Sequence, residues 1–157
     1  MQNNFYQDVI VQHPFYHIKI RVAILDLLEP VTRLAAVKLL QQASDLGVTL
    51  RIIETYRSKE RQEMLYEQKA TQLRQVGVHH YGLAFDVAVI RNGVADWKAE
   101  NYAFLKPLAM RNNLVWGGNW QFKDLGHFQR VSVKDQPKLF AETWYPDDKY
   151  TPEVADE

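Results

Sequence analysis

GVHHYGLAFDVAVIRNG, residues 77–93, is the stretch whose reading decides the fold. Leu83–Ile90 is rich in Val and Ile and reads as a strand. It ends at Arg91-Asn92-Gly93-Val94, and Asn-Gly between apolar runs is a strong hairpin signal, so the strand turns back on an antiparallel neighbour. Residues 74–82 form the loop that leads into it. The loop sets His79 and His80 just ahead of the strand, and Asp86 lies on the strand itself.

Upstream, Pro30 suits a first helical turn, and Val31, Leu34, Ala35, Val37, Leu39 and Leu40 form an apolar stripe ended by Gly47. Val48–Thr55 predicts a strand. Ser58 is placed to cap a helix running to about Gln72, with Met64, Leu65 and Leu73 inward. Downstream, a helix is expected over Glu100–Asn112, with Pro107 predicting a kink or a late start. Leu114–Trp116 and His127–Val131 read as short strands around the loop Gly117–Gly126, and residues 134–140 as a short helix. The expectation is an α+β single domain, a small, largely antiparallel sheet packed against helices, over residues 28–141. Residues 1–27 are an N-terminal extension whose structure the pattern leaves open, although Ile18, Ile20 and Val22 alternate with Lys19 and Arg21 as in a half-buried strand. Residues 142–157 are an acidic tail with two prolines, expected to fray.

Lys and Arg number 19 against 19 Asp and Glu, so there is no basic field for nucleic acid. Without cysteine the chain has neither disulfides nor thiolate sites, and a metal would need His, Asp and Glu. The apolar run Val22–Leu28 is short and interrupted by Asp26, too little to insert in a membrane. MQNNFYQDVIVQHPFY lacks the pattern of a signal peptide.

The second informative segment is WGGNWQFKDLGHF, residues 116–128. It supplies another His with an Asp three residues before it. Two imidazoles and one carboxylate, with a fourth position for water, make a catalytic zinc shell, and a further acid must then move the water's proton. The chain offers Asp86 for the shell and Asp124 for the base. Positions three apart on a regular strand face opposite sides, so Asp124 and His127 share a site only if the chain bends between them, which Gly126 permits. Taken singly, Asp86 could start a hairpin and Asp124 could sit in a turn.

Together the segments resemble the zinc peptidase family of D-Ala-D-Ala carboxypeptidases, vancomycin-resistance D,D-dipeptidases and phage L-alanyl-D-glutamate endolysins. Its first motif is Ser-x-His-x-x-Gly-x-Ala-x-Asp, matched by His79, Gly82, Ala84 and Asp86. Its second, an acid three residues before a His, is matched by Asp124 and His127. Ile53–Gln62 looks like the family's Tyr-Arg-Ser strand end, at Tyr56-Arg57-Ser58. The resemblance runs from Leu28 to Phe128. It implies a zinc ion held by His79, Asp86 and His127, with Asp124 as base and Arg57 stabilising the oxyanion. His80, one position on, is the competing ligand, while His13 and His17 lie outside every motif. Tyr81, Trp116, Asn119 and Trp120 are candidates for substrate contact, each also readable as packing. Gly77 stands where the family has Ser, and Asn119 where its endolysin branch often has Asp; both bear on specificity.

The implied function is cleavage of the L-Ala–D-Glu bond in peptidoglycan stem peptides, by a monomer. It would be made in the cytoplasm and reach the wall by release or another delivery route. Two other readings stay open: a D,D-carboxypeptidase or dipeptidase, and a non-catalytic zinc module like the hedgehog signalling domain, which the fold also resembles.

Overall fold

A computed structural model describes residues 3–71, 74 and 76–154. Four α-helices accompany five strands among them: α1 (Pro30–Asp45), β1 (Thr49–Glu54), α2 (Lys59–Glu67), β2 (Ala84–Arg91), β3 (Val94–Asp96), α3 (Leu105–Arg111), β4 (Val115–Trp116), β5 (His127–Gln129) and α4 (Gln136–Phe140). The strands form one antiparallel sheet in the order β1-β2-β5-β4, with β3 also paired to β2. The fold is α+β. No helix among the described residues is long and apolar enough to cross a membrane.

Local chemistry accounts for most boundaries. Glu29 caps α1 by accepting from the Val31 and Thr32 amides, and Pro30 takes the first helical position. At the other end Val48 N donates to Ala43 O and Gly47 N to Ser44 O, the double closure of a Schellman motif. The buried face of α1 is Thr32, Ala35, Ala36, Leu39 and Ala43, whereas Leu34 and Val37 are exposed. The stripe read from sequence was therefore too broad. Ser58 caps α2 through the Arg61 amide, but the helix stops at Glu67, and Gln72 and Leu73 lie outside the described residues. Its buried residue is Gln62, with Met64 exposed, because the helix turns a polar face to Arg57. α3 starts late, so that Pro107 falls in its first turn, where no helical donor is lost.

One core lies between the sheet and helices α1 and α3, built on Phe85, Val87, Val89, Leu39, Leu105 and Phe128. A second gathers both ends of the chain around Tyr81 and Leu83. The N-terminal residues Tyr6, Ile10, Val22 and Leu27 are buried in it, with Trp144 and Tyr145 packed against it. Ile18–Val22 is not a strand; its one contribution to sheet-like pairing is Val22 O, which accepts from Thr55 N just past the end of β1.

The expected fraying of the tail is also overturned, at least as far as Val154. Arg130, 2% exposed, meets Glu29 Oε1 through Nε at 3.1 Å and donates through Nη1 to the carbonyls of Asp147 and Tyr150. A buried guanidinium needs its donors filled, and the tail's carbonyls fill them. Tyr150 OH adds a bond to Asp135, and Tyr145 OH donates to Tyr81 O.

Removing one partner of a buried ion pair strands the other. Arg130→Met should therefore cost about 3–5 kcal/mol of stability in urea unfolding and open residues 142–154 to proteolysis. A loss under about 1 kcal/mol would show that Arg130 does not tie the tail.

Candidate functional site

Three strands bring the polar groups into one row. Glu54 on β1 is opposite Asp86 on β2, and Asp86 is opposite His127 on β5. Phe85 and Phe128, the next pair along, point to the other face and stack in the core with ring centroids 5.4 Å apart. His79 arrives from the 3-10 turn Val78–Tyr81 that precedes β2. Ligand atoms of His79, Asp86 and His127 all lie within 4.8 Å of one another.

Hydrogen bonds decide which nitrogen each imidazole turns inward. His79 Nδ1 is 2.7 Å from Thr55 O. A carbonyl only accepts, so Nδ1 carries the proton and Nε2 the lone pair. His127 uses the opposite nitrogens. Its Nε2 is 2.8 Å from Gln129 Oε1, and the Gln129 amide nitrogen donates to Val131 O and Gln136 Oε1. The Gln129 oxygen must therefore face His127 and accept from Nε2, which leaves the lone pair on Nδ1. Both lone pairs face Asp86 Oδ1, at 3.2 and 3.0 Å. Three acceptors so placed repel one another unless a proton or a cation lies among them. Two neutral imidazoles and a carboxylate fit a divalent metal ion.

Burial by itself raises the Asp86 carboxyl, but the two imidazoles outweigh it and hold Asp86 well below the usual carboxylate range. Burial lowers His127, and the Asp86 carboxylate beside it reverses this into a net rise. His80 is pushed down to about 4, first by burial, and stays neutral. It faces Tyr6, Tyr56 and the Arg57 carbonyl rather than the ligand cluster.

Arg57 is held in a side-on pair with Glu54, Nε to Oε2 at 3.1 Å and Nη2 to Oε1 at 2.9 Å. Nη1 donates to Gln62 Oε1, and Nη2 also approaches Asp86 Oδ2 at 3.4 Å. The guanidinium is fixed at the edge of the His79–Asp86–His127 cluster with one Nη1 hydrogen unused by described residues. Glu54 is raised by burial, but Arg57 and Arg61 more than reverse this, so it stays ionised.

Asp124 is exposed, and its carboxylate takes no hydrogen bond or ion pair from the described residues. It precedes β5, so the strand alternation expected to separate it from His127 does not apply. Its amide donates to Gly117 O at 3.0 Å, and its carbonyl accepts from His127 N. A Cβ at Gly117 would stand 2.4 Å from Asp124 O, so glycine is needed there for the loop to close. Gly126 likewise serves by close approach: a Cβ would stand 2.3 Å from Val87 O, in the ladder that sets β5 against β2.

A cleft of about 520 Å³ opens over these groups, lined by Arg57, His79, Trp120, Asp124 and His127 among others. Of the four side chains proposed for substrate contact, only Trp120 lines it, its ring 5.2 Å from His127. Tyr81 is buried against Tyr6 and Phe140, with its hydroxyl donating to Glu142. Trp116 lies in the core and donates to Leu125 O, and Asn119 lines a separate depression with Lys106 and Met110. Large rings next to a ligand were needed for packing. Sequence reading assigned no role to Glu54, Gln62, Gln129 or Gln136. Gln129 had a signal, since two residues from His127 on a strand means the same face. His13 and His17 do not line the cleft.

The chain is similar to several known proteins. The family model described as D-alanyl-D-alanine carboxypeptidase matches residues 71–130. The peptidoglycan L-alanyl-D-glutamate endopeptidase CwlK of Bacillus subtilis (strain 168) is 29% identical over 128 residues, 66% of this chain and 74% of that protein. The crystal structure of the Serratia marcescens L-Ala D-Glu endopeptidase ChiX matches with a TM-score of 0.56 and 26% identity, over 71% of this chain and 90% of that one. The vancomycin resistance D,D-pentapeptidase VanY, solved in complex with Zn(II), matches in fold with a TM-score of 0.53 at 16% identity, over 73% and 78%.

Gln129→Leu removes the acceptor that keeps the proton on His127 Nε2. Affinity for a probe ion such as Zn(II), measured by chelator competition on metal-free protein, should fall about 10- to 100-fold. An unchanged affinity would show that Gln129 does not govern the ring.

Proposed function

We propose that the chain is a peptidase of the family it resembles, that of D-alanyl-D-alanine carboxypeptidases and L-alanyl-D-glutamate endopeptidases, and that it hydrolyses the L-Ala–D-Glu bond of the peptidoglycan stem peptide with zinc at His79, Asp86 and His127. The observation that carries this reading is the convergence of three lone pairs at one end of a cleft that also holds a fixed guanidinium and a carboxylate without a partner among the described residues.

Zinc held by His79, Asp86 and His127 would supply Lewis acidity to a water and to the scissile carbonyl. Thr55 O and Gln129 hold the two imidazoles neutral and aimed at it. Asp124 accepts the proton of the attacking water and hands it to the nitrogen of D-Glu as the amide C–N bond breaks. Arg57 donates to the oxyanion that forms on the carbonyl oxygen, held in place beforehand by Glu54 and Gln62. Glu54 cannot serve as the base, because two arginines occupy it.

Two features favour the internal bond over a terminal D-Ala. The 29% and 26% identical relatives bear the names of L-Ala–D-Glu endopeptidases, whereas VanY stands at 16%. A carboxypeptidase must also pair a chain-terminal carboxylate with a cation. Here the Arg57 charge is already paired with Glu54, leaving a single Nη1 hydrogen for the oxyanion, and the other Lys or Arg among the described cleft residues, Lys123, lies on the exposed lip donating to Gly118 O.

Digestion of purified sacculi should expose new D-Glu amino termini, seen by amine labelling and by the masses of the released muropeptides. Release of D-Ala or D-Ala-D-Ala instead would replace the endopeptidase reading with the carboxypeptidase one. Zinc bound without any turnover would leave the non-catalytic module.

A second test separates ligand from base. Asp124→Asn should keep zinc and lose at least about 10²-fold in turnover, whereas His127→Ala should lose the metal. An Asp124→Asn enzyme with near-normal turnover would move the base elsewhere.

A further inference from the structure

The N-terminal arm, residues 3–28, precedes the span that matches the family model, yet it packs directly on the turn that carries His79. A Cβ on Gly82, which closes that turn, would stand 2.7 Å from Ile10 Cδ1 and 3.2 Å from Phe5 Cε2. Tyr6 and Ile10 are 5% and 0% exposed, so the contact is close-packed.

Through this contact runs a hydrogen-bond chain whose direction is fixed. His80 Nδ1 is 3.2 Å from Arg57 O. That carbonyl only accepts, so Nδ1 is the protonated nitrogen and Nε2 the acceptor. Tyr6 OH, 2.9 Å from Nε2, must then be the donor, and its own oxygen accepts from Tyr16 OH at 2.9 Å. Tyr56 OH donates to Tyr16 O at 2.5 Å, and its oxygen lies 3.4 Å from the same His80 Nδ1, as a second acceptor beside Arg57 O. The chain runs from Tyr16 through Tyr6 and His80 to the main chain of Arg57. The Arg57 amide lies 3.4 Å from His79 O, so the same backbone joins the two site segments.

We infer that the arm is a working part of the active site, in which Tyr6 and His80 are positioning residues that hold the Arg57 main chain so its guanidinium faces the reacting carbonyl. The inference rests on Arg57 as the group that stabilises the oxyanion. No described residue of the arm lines the cleft. The arm acts by removing freedom from a group that must be in place before the transition state forms.

Tyr6→Phe deletes one hydroxyl and keeps the ring. Its kcat on muropeptides should fall about 10- to 100-fold, with KM and zinc affinity within about twofold of wild type. A Tyr6 that merely stabilises the fold would lower the melting temperature and leave kcat per folded molecule unchanged, which would overturn the proposal. An activity-independent reading comes from the Arg57 Nε–H resonance, assigned in ¹⁵N-labelled protein. It should shift or broaden in Tyr6→Phe and His80→Phe, and a resonance unmoved in both refutes the proposal. If wild type itself turns over no muropeptide, the peptidase reading falls, and this resonance still decides whether the arm governs Arg57.

Discussion

The pairing of Asp86 with His127 across β2 and β5 is the constraint on which the site depends. Because side chains alternate, a slip of one residue would carry Asp86 to the core face and bring Phe85 or Val87 to the site. Register is therefore enforced twice. The apolar side holds it through the stacked Phe85 and Phe128, and the polar side through the imidazole–carboxylate contact. The same row continues to Glu54 on β1, so the sheet lays out the Asp86 carboxylate, the His127 imidazole and the anchor of Arg57 in one line.

Around this row, neutral polar groups do the orienting. Thr55 O and Gln129 leave opposite nitrogens of the two histidines bare, and Gln129 is itself fixed by Val131 O and Gln136. Each of these bonds is ordinary in strength, about 1 kcal/mol net. Their value lies in selecting one tautomer and one rotamer, so that the ligands need little rearrangement when a metal binds. Beside these groups, Glu54 is compensated by Arg57 and Arg61, and elsewhere in the interior Glu29 is compensated by Arg130.

Much of this was legible in sequence because the essential groups sit at strand starts and turns, where spacing has geometric meaning. The Asn92-Gly93 turn, with φ of +53° and +79°, is the hairpin its sequence announces. The fit of His79, Asp86 and His127 into one cluster follows from a loop, a strand and its neighbour in order. What escaped were residues whose role depends on which atom of a neighbouring side chain they meet, which spacing does not give. Gln129 looks like any polar residue on a strand, and Glu54 like the end of one, until His127 and the two arginines are seen against them. Tyr81 and Trp116 show the converse, since nearness to a ligand along the chain does not say which way a ring points. Alternation at Ile18–Val22 failed because a half-buried strand needs a neighbour to complete its ladder. The tail failed because charge and proline content conceal Tyr145 and Tyr150, which dock it.

The way Arg130 is satisfied also couples two parts of the fold. Its guanidinium follows directly on β5, but the carbonyls that complete its shell belong to Asp147 and Tyr150, 17 and 20 residues later. Without them, seating β5 in the sheet would bury donors without acceptors, a cost that favours keeping the strand out. Asp86 and His127 come into register only when β5 is seated. The docking of the tail and the convergence of His79, Asp86 and His127 are thus parts of one cooperative event, joined by two peptide carbonyls whose residues do not line the cleft.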